Sequence, residues 1–265
     1  MSLQLLLQNF ADALAKSAPG FVLVFIRVSA MFVFAPLFGS GRIPTRVKVL
    51  LALTISLGVS AGIQLPAQLP TTLWGATLGI GGEICFGLAM GMILSMIFIA
   101  VQWAGEIIGQ QMGLSMAQVI DPQFGQGGSL IGDIYFWFAL VIFLSIQGHH
   151  MLLRGVRASF DSLPLLSVGV DQSIVDLITD LLMGALTLAI CLAGPMLITM
   201  IVVDLALGCV SKTMPQFNVM SAGLMIRAII GVIVLIIGMG LTGDVITGQL
   251  KTAMNRVHLY YAGNV

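Results

Sequence analysis

Four ionisable side chains stand in or beside apolar runs of this sequence: Arg27, Glu83, Asp204 and Arg227. A charge in such a place needs a counter-charge or water, so the chemistry it offers is a proton or ion relay when wet and a structural ion pair when dry. The dry reading weighs more, because no second carboxylate lies one helical turn from Glu83 or Asp204. Asp204 and Arg227 flank one connector and are expected to be buried charges that pair, as are Arg27 and Glu83 with partners of their own. His149 and His150 adjoin the end of an apolar run, but neighbouring residues on a helix point about 100° apart and cannot easily share one metal ion. Interface histidines are the simpler reading. Cys85, Cys191 and Cys209 lack any C-x-x-C spacing and sit in apolar surroundings, which reads as small buried hydrophobes rather than a disulfide or zinc site. No Walker loop, H-E-x-x-H, dinucleotide fingerprint or nucleophile–base arrangement occurs. No enzyme, cofactor or metal is expected.

What must position these groups is a membrane protein. The 265 residues are 58% hydrophobic and only 8% charged, with mean hydropathy +1.06, whereas soluble domains carry about 25% charged residues. Eleven basic and eleven acidic residues cancel, leaving no electrostatic case for nucleic acid. The apolar runs are Phe21 to Phe38, Val49 to Leu65, Leu73 to Gln102, Ile131 to Ile146, Leu181 to Val203 and Met225 to Leu241. They predict an all-α, polytopic protein of about six long apolar helices in a single unit over the whole chain. Ahead of them, Leu3, Leu7, Phe10 and Leu14 share a face opposite Gln8 and Asp12, the pattern of an amphipathic N-terminal helix. No basic residue precedes Lys16, so this segment is expected to be retained rather than cleaved as a signal.

Arg42, Arg46 and Lys48 crowd the connector before the second run, the strongest cytoplasmic mark in the chain. Gly194-Pro195 interrupts the fifth run and is expected to kink it. With six simple spans, one side would hold Arg42, Arg46, Lys48 and Lys212 and the other Lys16, Arg154, Arg157, Lys251 and Arg256. Such an even division is not what ordinary spans give.

The third run shows the clearest pattern. Gly75, Gly79, Gly87, Gly91 and Ser95, and then Gly105, Gly109 and Gly113, fall within each group at four-residue steps or their multiples, drawing a drifting stripe of small residues on which another backbone can dock. Glu83 stands in the same phase. After Gly113 the helical pattern dissolves through Leu114, Ser115 and Met116 to Asp121-Pro122, Phe124 and a glycine-rich end at Gly128. Pro122 biases its predecessor away from helix, and glycines relax the backbone. The segment has no Lys or Arg.

In order along the chain, Arg27 with Phe34-Ala35-Pro36, Ile43-Pro44 with Arg46-Val47, Glu83 with Gly87 and Gly91, Gln102 with Gly105 and Gly113, and Asp121-Pro122 form a set. Gly148-His149, Ser159-Phe160 with Pro164, Pro195, Asp204 with Gly208, and Pro215-Gln216-Phe217-Asn218-Val219 followed by Gly223 continue it. With this set the sequence resembles the FliR/SctT family of type III secretion export-gate subunits over nearly its whole length. The resemblance implies a hetero-oligomeric channel with several copies of FliP and FliQ homologues, and FlhB as a further partner. Through it unfolded flagellar proteins leave the cytoplasm. It also implies a bacterial inner-membrane location at the flagellar basal body, with the assembly largely on the periplasmic side, and a pore plug formed here by residues 113–128. Contacts with membrane lipid follow from the hydrophobic surface.

Two other readings are open to the same sequence: a proton-coupled secondary transporter built on Glu83 or Asp204 and the Gly194-Pro195 break, and the equivalent subunit of a virulence injectisome.

Overall fold

In a computed structural model, the structure describes residues 3–36, 39, 43–60, 63, 72–115, 129–162, 165–166, 172–214 and 219–262, with side chains described over these except 3–17, 161–162, 172–178, 219–221 and 253–262. The described residues form helices and short connections only: α1 (Leu3–Phe34), α2 (Thr45–Ser60), α3 (Leu73–Gln111), α4 (Leu130–Ser145), α5 (Gly148–Ser162), α6 (Gln172–Thr213) and α7 (Val219–Ala262). The all-α expectation is met.

Several boundaries differ from the sequence pattern. The N-terminal segment and the first apolar run form one helix, α1, with Pro19 inside it. The amphipathic face read from Leu3 to Leu14 lies outside the described side chains. α6 extends beyond the fifth apolar run at both ends, as a single helix of 42 residues from Gln172 to Thr213. α7 continues past the last apolar run, Asp244 and Lys251, and is helical to Ala262. Helix formation overrides the polar punctuation because a chain already in register gains one backbone bond for each residue it adds.

At about 1.5 Å per residue, α3, α6 and α7 reach about 58, 63 and 66 Å, roughly twice a hydrocarbon core of about 30 Å. Among the described residues these three are long and apolar enough to cross a membrane, and α4 with α5 makes a fourth if the two are counted as one broken span. The apolar part of α1, Ala18–Phe34, is shorter, and α2 has 16 residues. Six apolar runs therefore do not become six equal spans.

The chain forms two compact units, residues 1–95, 149–179 and 253–265 in the first, and 96–148 and 180–252 in the second. In the first, the start of α3 packs on α1 through its glycines. A Cβ on Gly87 would strike the carbonyl oxygen of Arg27, and one on Gly91 would come within 2.5 Å of the Met31 carbonyl oxygen. In the second, the end of α3 packs on α4. A Cβ on Gly105 would lie 2.7 Å from the Gly132 Cα, and Phe98 makes edge-to-face contacts with Phe136 and Phe143 at centroid distances of 5.6 and 5.8 Å. Such ring pairs add dispersion and quadrupole attraction where the hydrophobic effect between lipid-embedded helices is weak.

The most apolar windows of α3, α6 and α7 are 67%, 39% and 6% buried within the chain. α3 is thus the core helix, and α7 is an apolar helix that its own chain leaves almost bare.

Candidate functional site

Two arrangements stand out, one in each compact unit. The first is built around Arg27. Its Nε donates to Glu83 Oε2 at 2.5 Å, and the side chains are 1% and 0% exposed. Nη1 faces the Ser159 carbonyl oxygen at 3.4 Å and Oγ at 3.3 Å. The guanidinium lies over the rings of Phe86 and Phe160, 4.8 and 4.2 Å from their centroids. Glu83 spends its other oxygen on the backbone N–H of Leu166, 2.9 Å away. Leu166 sits at φ 67, a conformation that costs an L-residue about 1–2 kcal/mol, and a Cβ on Gly79 would strike its side chain. Ser159 Oγ in turn donates to the Val156 carbonyl oxygen at 2.6 Å.

The arrangement follows from helical phase. Glu83, Gly87 and Gly91 share one face of α3, so the backbone that reaches the two glycines also brings Arg27 to Glu83. Each oxygen of the carboxylate accepts a hydrogen bond from within the protein. That is the pattern of a dry structural node tying α1, α3, α5 and the Leu165-Leu166 turn, not of a proton relay.

The second arrangement frames the predicted plug. α3 ends in a Schellman cap: Leu114 N–H donates to the Gly109 carbonyl at 3.1 Å and Gly113 N–H to the Gln110 carbonyl at 3.0 Å, with Gly113 at φ 79. Glycine is the residue that takes this left-handed position freely. α4 begins at Ser129, whose Oγ accepts from Gly132 N–H at 3.3 Å. These two caps are neighbours, since a Cβ on Gly109 would lie 3.0 Å from Ser129 Oγ. The chain therefore leaves α3 and enters α4 at one place, held by glycine contacts on both sides. Gly113, Leu114 and Ser115 belong to this anchor. Met116, Asp121, Pro122 and Phe124 lie outside the described residues.

Asp204 and Arg227 do pair, with Nη2 2.7 Å from Oδ1, but on the chain by itself their side chains are 44% and 36% exposed. The expectation of two buried charges is corrected here: the pair lies on the parts of α6 and α7 that this chain does not cover. Arg227 Nε is buried without a partner among the described residues. Cys85, Cys191 and Cys209 are free and exposed on the chain, not buried as expected, because they occupy helix faces turned away from its core. His149 and His150 place their rings 4.3 Å apart, and the described residues contain no cluster of three or more metal-binding side chains. Gly75 lies in the first turn of α3, and its N–H donates to Thr72 Oγ1 at 3.3 Å. Met112, just after α3, is buried against Gly231 of α7.

Sequence reasoning missed Ser159 and the Leu166 amide as partners of the node. Ser159-Phe160 stood in the ordered set, but nothing in its spacing pointed to Arg27.

Residues 18–253 match the family model described as bacterial export proteins, family 1. The chain is 35% identical over 229 residues to the flagellar biosynthetic protein FliR of Bacillus subtilis, covering 83% of this chain and 86% of that protein. It is 28% identical over 209 residues to FliR of Escherichia coli, covering 78% and 79%. It is also 26% identical over 214 residues to the surface presentation of antigens protein SpaR of Shigella flexneri, covering 81% and 82%.

Proposed function

The chain belongs to bacterial export proteins, family 1, the group that holds FliR and its SctT relatives, and from that premise we propose that it is a non-enzymatic subunit of the flagellar type III export gate in the bacterial inner membrane. In this reading it joins several copies of FliP and FliQ homologues, with FlhB alongside, to form the channel for unfolded flagellar proteins. The assembly lies largely on the periplasmic side. The segment 113–128 closes the resting pore.

The observation that carries the reading is the similarity to FliR of Bacillus subtilis over most of both chains. Structural support comes from the helices. An apolar window of α7 that is only 6% buried by its own chain, in a helix about twice the length a bilayer needs, suits a subunit whose remaining partners are other helices. The buried, paired Arg27–Glu83 node favours this reading over a proton-coupled transporter, which needs an ionisable group with access to water.

Native mass spectrometry of the complex purified through a tag on this chain, co-expressed with its neighbouring genes, tests the proposal. One copy of this chain with several copies of two smaller membrane proteins is expected. A monomer or homodimer that retains no other protein would overturn it.

A further inference from the structure

We infer that the surface of the second compact unit around the Asp204–Arg227 pair docks one helix of another subunit, apolar along its contact face and carrying a carboxylate within reach of Arg227. The inference deepens the export-gate reading and rests on it. Ile201, Asp204, Leu205, Gly208, Cys209 and Lys212 line a hollow of about 570 Å³ on α6. Their spacing keeps them on one side of the helix. At Gly208 the hollow is floored by backbone, because a Cβ there would meet nothing within 4 Å. Its own chain makes no use of this glycine, although glycine weakens a helix interior. What a bare backbone permits is the close approach of another helix.

Neither water nor lipid suits the patch. Ile201 and Leu205 are 60% and 68% exposed, an apolar surface that water covers poorly. Among them Asp204 and Arg227 are 44% and 36% exposed, and ionised side chains are costly against hydrocarbon. A helix that combines apolar contact with one polar group answers both. The charge balance selects the group. A guanidinium has five N–H donors, and the contact with Asp204 Oδ1 at 2.7 Å is the one ion pair Arg227 makes among the described residues. Between Asp204 and Asp244 the sequence holds Lys212 and Arg227 and no acidic residue. The patch therefore carries two cations and one carboxylate, and a second carboxylate completes it.

The test uses the complex purified through a tag on this chain, co-expressed with its neighbouring genes, and reads the subunits retained by native mass spectrometry. Gly208→Leu, which fills the hollow, and Arg227→Gln, which removes the cation, should each retain a neighbouring subunit roughly tenfold more weakly. Thermal midpoints of the detergent-purified chains are measured alongside, and the judgement rests on whichever variant melts as the unsubstituted chain does. In the double variant Asp204→Asn/Arg227→Lys, a carbodiimide should join position 227 to an acidic side chain of the neighbouring subunit. Full retention by a folded variant would overturn the proposal, and so would an intact complex that gives no such cross-link. A cross-link to a second copy of this chain would also overturn it. If the unsubstituted chain retains no other subunit, the export-gate reading fails and this proposal with it, whereas retention by both the unsubstituted chain and the variants refutes the docking surface alone.

Discussion

A guanidinium withdrawn from water is tolerable only while its carboxylate stays with it. Arg27 and Glu83 are both essentially fully buried and paired, so removing one charge leaves the other uncompensated, at a cost of about 3–5 kcal/mol. Glu83→Gln keeps the shape of the side chain and should sharply lower the thermal midpoint of the detergent-purified chain. The double variant Arg27→Met/Glu83→Leu, which removes both charges, should recover much of the loss. Asp204→Asn gives the contrast. Its pair is half-exposed on the isolated chain, where such interactions are worth about 0–1 kcal/mol, so the same midpoint should barely move. Equal losses from Glu83→Gln and Asp204→Asn would refute this ranking. Part of it was legible beforehand: a carboxylate in a glycine stripe must meet whatever docks there. The identity of that neighbour was not, since Arg27 and Glu83 are 56 positions apart and periodicity within a helix carries no information about the helix opposite.

At the scale of the element, α3 shows why a run of glycines is not uniform. Gly81 has open space where a side chain would go, whereas a Cβ on Gly87 would strike the Arg27 carbonyl oxygen. Glycine in a helix interior costs about 1 kcal/mol relative to alanine. Gly81→Ala should therefore raise the thermal midpoint slightly or leave it unchanged, and Gly87→Ala should lower it by forcing α1 away from α3. Similar shifts in one direction would mean that the close approach is not what holds these helices. The four-residue stripe was readable from the sequence, and so was the end of α3 near Gly113, because both rest on local chemistry. The sequence did not reveal that Gly87 and Gly91 dock on α1 while Gly105 and Gly109 dock near the start of α4. Nor did it reveal that α1 runs unbroken from the N-terminal segment past Pro19. Those outcomes depend on tertiary contacts and on cooperative propagation, which punctuation rules leave out.

For the whole molecule, the plug proposal turns on how the segment after α3 is held. Its two ends are fixed together by the caps at Gly113 and Ser129, and by the contacts of Gly105 and Gly109 with the start of α4. A segment anchored this way can be shortened without pulling its helices apart, since loop closure depends only weakly on length. Deleting residues 114–123 should therefore leave the complex assembled while removing the material proposed to fill the pore. The expected outcome is normal stoichiometry by native mass spectrometry together with raised ion conductance in planar bilayers and growth inhibition on expression. Unchanged conductance in an assembled complex would exclude this segment as the resting seal. Loss of assembly is distinguished by a companion variant that replaces residues 114–123 with an equal length of Gly and Ser. This variant preserves the spacing between the caps and removes only Met116 and the other side chains. A leak from that variant as well would assign the seal to side chains of residues 114–123 packing in the lumen, because a flexible thioether such as that of Met116 can close an irregular gap that a bare backbone leaves open.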